Sequence, residues 1–161
     1  MTGSEEREET ESYDGKTVVV CLGNPYMKDD GVGPEVCRRL RGTALRQDVV
    51  IVEFRSLELG TLWQFRRAKR LLVVDALKSG STPGTVSKYS LLPRSNAQVR
   101  LPDSHGLELQ DALDVIGSEG PSLPVTIIGV ESRDCGFGEG LTKEVASAVP
   151  DVVEAILAEL G

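Results

Sequence analysis

Val18-Val19-Val20-Cys21-Leu22-Gly23-Asn24-Pro25-Tyr26-Met27-Lys28-Asp29-Asp30-Gly31-Val32-Gly33 is the stretch on which the fold turns. An apolar, β-branched run leads into a Gly-Asn-Pro turn, and an acidic pair then stands at the mouth of a helix. In open α/β proteins, a strand that ends in a tight turn and a helix start is where the chemistry is placed. The turn here carries carboxylates in place of a lysine or a glycine cradle. That choice points to a metal or a proton and away from a phosphate.

Outward from this stretch, strand and helix patterns alternate. Thr17–Leu22 reads as a buried strand and Val32–Arg41 as a helix, with Val32, Val36 and Leu40 four apart on one face. Pro34 suits the first turn of that helix, where its missing N–H is harmless. Val49–Phe54 reads as a second strand, Leu59–Ala68 as a helix, and Leu71–Ala76 as a third strand, apolar until Asp75. A Ser-, Gly- and Pro-bearing loop over 78–85 precedes a fourth strand, Thr85–Leu91. Gly106–Ile116 reads as a helix stopped by Gly117. Pro124–Val130 is the fifth strand, and Leu141–Leu160 the last helix, which Pro150 is expected to kink or split. Repeated strand–helix units predict a single-domain, three-layer α/β fold: a twisted, mostly parallel sheet with helices on both faces.

The chain has 161 residues and a net charge of −7. Residues 1–16 hold six acids (Glu5, Glu6, Glu8, Glu9, Glu11, Asp14) against Arg7 and Lys16, a net of −4, and almost nothing apolar. They are expected to form a disordered acidic tail ahead of a domain spanning 17–161. That domain carries the other −3, which fits poorly with broad nucleic-acid binding. Two basic runs, Arg38, Arg39 and Arg41, then Arg66, Arg67, Lys69 and Arg70, read as solvated helix faces. No signal peptide or membrane-spanning stretch is apparent. Cys21, Cys37 and Cys135 are odd in number and widely spaced, as reduced cytoplasmic thiols would be.

Three side chains are candidates for chemistry. Asp30 follows the first strand, Asp75 ends the third, and His105 opens the helix after the fourth. With strand order 2-1-3, the first and third strands are neighbours whose connections diverge, and a crevice opens at their carboxyl ends. Two carboxylates and an imidazole suit a borderline divalent metal such as Ni²⁺ or Zn²⁺. The same residues have plainer readings. Asp29 or Asp30 could cap the helix that follows, and Asp103-Ser104-His105-Gly106 is also what a helix start looks like. Asp75 is harder to dismiss, because an unpartnered buried carboxylate is expensive. A cysteine hydrolase built on Cys21 with His105 as base is disfavoured, since a thiol at the end of a buried strand behaves as a small inert hydrophobe.

The opening segment resembles the G-x-G-N-x-x-x-x-D-[DE]-G-x-G motif of the maturation endopeptidases of nickel–iron hydrogenases. The resemblance continues, in family order, at Leu72-Val73-Val74-Asp75-Ala76, Pro83-Gly84-Thr85, Ser104-His105-Gly106-Leu107, Ile128-Gly129-Val130-Glu131 and Gly140-Leu141-Thr142. It implies a phosphorylase/hydrolase-like fold. It further implies an endopeptidase that removes the C-terminal extension of a hydrogenase large-subunit precursor once nickel is inserted. The family's metal-contacting acid, acid and histidine fall on Asp30, Asp75 and His105, and would recognise nickel held in that substrate as well as carry the catalysis.

The sequence departs from the family pattern at two places. Cys21 replaces the first glycine of the motif, which is expected to make the turn less permissive. Glu53-Phe54-Arg55-Ser56-Leu57-Glu58-Leu59-Gly60 keeps only an acid and the last glycine of a segment expected to line the substrate cleft. Two rival readings stand beside the protease. One is a non-catalytic, nickel-sensing or chaperone-like partner of the immature subunit. The other is a peptidyl-tRNA hydrolase, whose chain also opens with the pattern of Leu22-Gly23-Asn24-Pro25 but carries a histidine soon after it, where this chain has Asp29-Asp30-Gly31.

Overall fold

A computed structural model describes residues 12–91 and 104–161, leaving aside the side chains of 104–108. In chain order the elements are β1 (Thr17–Leu22), α1 (Val32–Arg41), β2 (Val49–Phe54), α2 (Leu59–Trp63), β3 (Arg70–Leu77), β4 (Val86–Leu91), α3 (Ser104–Glu119), β5 (Val125–Glu131) and α4 (Lys143–Leu160), with a 3₁₀ turn at Lys28–Gly31 before α1. The strands form one sheet in the order β2-β1-β3-β5-β4. Every neighbouring pair is parallel except β4 with β5.

Alternation along the central strands explains the three layers. Successive strand residues point to opposite faces, so Val18, Val20 and Leu22 of β1 with Leu71 and Val73 of β3 face one side. There they meet Leu62, Phe65 and the α3 residues Leu109, Leu113 and Ile116. Val19, Cys21, Leu72 and Val74 face the other side, against Val36 and Leu40 of α1 and Val145, Val149, Val152 and Ile156 of α4. Both faces of β1 and β3 are therefore dry, which is why these strands read as unbroken apolar runs. Burying each such side chain stabilises the fold by about 1.5–3 kcal/mol relative to leaving it in water.

Several expectations need correction. α2 stops at Trp63, and i→i−3 bonds from the N–H groups of Phe65, Arg66 and Ala68 tighten the chain there. These turns drop Phe65 into the core. The second basic run is accordingly not a helix face, and Arg70 opens β3 and pairs with Glu159 at 3.1 Å. Gly117 does not stop α3, which runs on to Glu119, ahead of Gly120-Pro121. α4 begins at Lys143, and Pro150 lies inside it without dividing it. The helix survives because its apolar face is anchored on both sides of the proline, by Val145 and Val149 before it and Val152 and Ile156 after it. Pro150→Ala restores the missing N–H and removes a ring clash, against a smaller entropic loss in the unfolded chain. It is expected to raise stability by about 1 kcal/mol, read as a higher urea midpoint with an unchanged slope.

The expectation for residues 1–16 falls, over 1–11, outside the described residues. Of the remainder, Tyr13 packs edge-on against Phe65 with ring centroids 4.8 Å apart. No helix of the described residues is long and apolar enough to cross a membrane.

Candidate active site

The parallel strands β1, β2, β3 and β5 end at the same edge of the sheet, and the segments that follow them build the site. Two glycines allow the first of these to fold so tightly. Gly23 has φ +137°, and a Cβ there would stand 1.8 Å from the Asp30 carbonyl oxygen. A Cβ on Gly33 would stand 2.1 Å from the Leu22 carbonyl oxygen, so glycine is what lets α1 begin against the end of β1. Cys21, by contrast, lies inside β1, paired with Glu53 and Val74, and has no left-handed backbone. The departure from the family motif at this residue therefore leaves the turn as permissive as before.

The two adjacent aspartates do different things, and neither makes the side-chain cap expected of a helix start. Asp30 closes its own turn: its Oδ2 accepts the Asn24 N–H at 2.8 Å, and its N–H donates to the Met27 carbonyl at 3.1 Å. The 3₁₀ turn that carries it packs against β3. Asp75 stands near the end of β3, beside Gly129 of β5, and its Oδ1 accepts the Ala76 N–H at 2.8 Å. By the alternation of β3 it belongs to the face of Leu71 and Val73, the face covered by α3. His105 lies in the first turn of α3, with its side chain outside the described residues. Among the described residues no cluster of three metal-binding side chains is present.

Asp29 points inward and is fully buried. Its Oδ2 accepts the Arg133 and Asp134 N–H groups at 2.8 and 3.0 Å, and its Oδ1 accepts the Thr142 N–H at 2.7 Å, with the Thr142 hydroxyl bridging both oxygens. Burial pushes this carboxyl up, but the backbone donors of Asp134, Thr142 and Arg133, with the Thr142 hydroxyl, outweigh it and hold the pKa below the ordinary aspartate value. Asp29 thus ties the loop after β5 to the turn after β1. Two further contacts reinforce the tie: the Lys28 N–H bonds the Gly138 carbonyl at 2.9 Å, and Lys28 pairs with Asp134 at 2.8 Å. Glu131 does the same for the loop after β3. It is buried at the end of β5 and accepts the N–H groups of Ser79 and Gly80 and the Ser79 hydroxyl.

A cleft of about 460 Å³ opens behind the turn, between α1 and the start of α4, lined by Pro25, Lys28, Pro34, Arg38, Arg39 and Leu141. Its cations are engaged, Lys28 by Asp134 and both arginines by Glu35. Neither Asp30 nor Asp75 lines it. Cys21 offers no nucleophile at the strand end: the Cys37 thiol beside it, and burial, push its thiol far up.

A family model for hydrogenase maturation proteases matches residues 34–159. This chain belongs to the hydrogenase maturation protease family. The matched span opens just after Val18–Gly33, so the motif and the match are separate observations. The protease is 26% identical over 141 residues to the hydrogenase 3 maturation protease of Escherichia coli, an alignment covering 86% of this chain and 87% of that one. Its fold is similar to that of the hydrogenase maturating endopeptidase HybD from E. coli, with a TM-score of 0.76, 22% identity and 90% and 91% of the two chains covered. It is also similar to the NiFe hydrogenase maturation protease HybD from Thermococcus kodakarensis, with a TM-score of 0.66, 23% identity and 91% and 99% covered.

The protease is a hydrogenase maturation endopeptidase, and its family membership settles the choice against peptidyl-tRNA hydrolase. Asp30, Asp75 and His105 stand out in the sequence, whereas the residues that hold the loops together do not: Asp29 reads there as a helix-start acid, and Glu131 and Thr142 carry no role. The signal for Glu131 was present: a carboxylate ending an apolar strand is buried only when donors surround it.

Proposed function

We propose that this protease removes the C-terminal extension of a nickel-containing hydrogenase large-subunit precursor after nickel insertion, with Asp30, Asp75 and His105 contacting the nickel that the substrate brings. One observation carries the reading: Asp30 follows β1 and Asp75 stands near the end of the adjacent β3, at the sheet edge where an open α/β fold with diverging connections places its ligands. The donor chemistry fits, since two carboxylate oxygens and an imidazole nitrogen suit a borderline divalent ion and leave coordination positions open. Metal held there can polarise the scissile carbonyl or lower the pKa of an attacking water. The metal then reports that loading is complete, and a nickel-free precursor lacks the group that the trio recognises. We assign the reaction to the cytoplasm, where free thiols such as Cys21, Cys37 and Cys135 persist.

The test is a C-terminal mass shift in a nickel-loaded precursor incubated with the protease, with nickel-free precursor in parallel. The loaded precursor is expected to be cut and the nickel-free one left intact. Cleavage of both at equal rates would remove nickel from the recognition step. Binding of the cognate loaded precursor without a mass shift would favour the chaperone-like reading.

A further inference from the structure

We propose that Tyr26 and Phe137 form a rigid aromatic rim by which the protease grips its precursor substrate, setting affinity separately from the metal donors; the inference rests on the function proposed above. Phe137 is 90% exposed and Tyr26 61% exposed. An isolated apolar side chain on a surface needs no explanation, but this pair is held in place. The Gly138 N–H donates to the Tyr26 carbonyl at 2.9 Å, the Lys28 N–H donates to the Gly138 carbonyl at 2.9 Å, and Met27 and Gly138 form a parallel bridge. On the other side of Phe137, the Gly136 N–H bonds the Asp134 carboxylate at 2.8 Å, and the Asp134 N–H bonds Asp29. The chain is thus anchored before and after Phe137, and its ring stays in water although the loop beneath it is fixed.

The position of the rim identifies what covers it. Tyr26 lies inside the turn that the Asp30 carboxylate closes, and the loop bearing Phe137 is tied to Asp29, the residue before Asp30. The rim therefore stands on the same turn as Asp30, one of the candidate nickel donors, and is covered by the protein chain that brings the nickel. Aromatic side chains that lose little freedom on contact are the residues that dominate protein–protein affinity. Leu59, another exposed apolar side chain, opens α2 at the same edge of the sheet, within the Glu53–Gly60 stretch that departs from the family pattern.

The experiment compares wild type, Phe137→Ala, Tyr26→Ala and, as a control on α4, Leu157→Ala in processing the nickel-loaded precursor, with precursor affinity measured on inactive Asp30→Ala versions of each. Phe137→Ala is expected to raise KM about tenfold, with kcat within twofold of wild type and an unchanged Tm. Tyr26→Ala should shift KM in the same direction, and Leu157→Ala should not. Unchanged KM and affinity in both rim variants, with wild type fully active, would overturn the rim and leave the functional reading standing. Wild-type self-association abolished by Phe137→Ala, at unaltered precursor affinity, would assign the rim to contact between copies and also overturn it. If wild type neither binds nor cuts the loaded precursor, the functional reading fails and the rim with it.

Discussion

Asp30→Ala and Asp75→Ala are each expected to lower processing of nickel-loaded precursor by ~10³-fold or more, the scale on which reactions lose a group aimed at the reacting centre. The chain should nevertheless fold. The Asp30 carboxylate accepts one backbone N–H, that of Asn24, in a turn that also keeps the Met27–Asn24 and Asp30–Met27 backbone bonds. Losing that acceptor costs about 1 kcal/mol, within the margin of a domain of this size. The backbone pairing of Asp75 with Gly129 of β5 does not depend on its side chain. The measurement is a single-turnover time course with a circular-dichroism melt of each variant. Processing within tenfold of wild type by Asp75→Ala would sink the metal trio, while a collapsed melt would reassign Asp75 to the fold. His105→Ala follows the same logic and should lose activity to a similar degree.

Local signals account for what was legible in the sequence. β1 and α1 have the bounds expected of them because each is closed by its own punctuation: the Gly23-Asn24-Pro25 turn for the strand, Pro34 in the first turn and Gly42 after the last for the helix. The neighbouring of β2, β1 and β3 in that order fits the parallel strand–helix pattern. Competition between local preference and tertiary packing was not legible. Phe65 has helical neighbours, but the core needs its ring, and α2 gives way to tight turns. Pro150 is a helix breaker in isolation, yet apolar residues on both sides hold α4 together. The division of labour between Asp29 and Asp30 was hidden for the same reason. Both stand before the same helix, and only partners more than a hundred residues later show which one turns inward.

Asp29→Ala is expected to be the most destabilising polar substitution in this half of the site, costing about 3 kcal/mol or more and lowering Tm by roughly 6–12 °C. It removes one buried acceptor from three backbone N–H groups and a hydroxyl at once, and these donors lie where the loop after β5 meets the turn after β1. The charge itself contributes, and pH isolates its share. The folded-state carboxyl titrates below its ordinary value, so its stabilisation is complete above the unfolded pKa of about 3.9 and is lost as pH falls through the lower folded value. Asp29→Asn keeps the shape and one oxygen but cannot ionise, and it turns an amide N–H₂ toward donors. Glu35 and Glu159 also titrate low, so the informative quantity is the difference between wild type and Asp29→Asn, in which their shared contribution cancels, while Glu144, whose low titration the Asp29 charge opposes, moves further down in the variant. That difference in urea midpoint should be constant from pH 7 down to about 5 and shrink steadily below about 4. A gap that stays unchanged to the lowest pH at which both proteins fold would mean that hydrogen-bond geometry alone, without the charge, holds the two loops together.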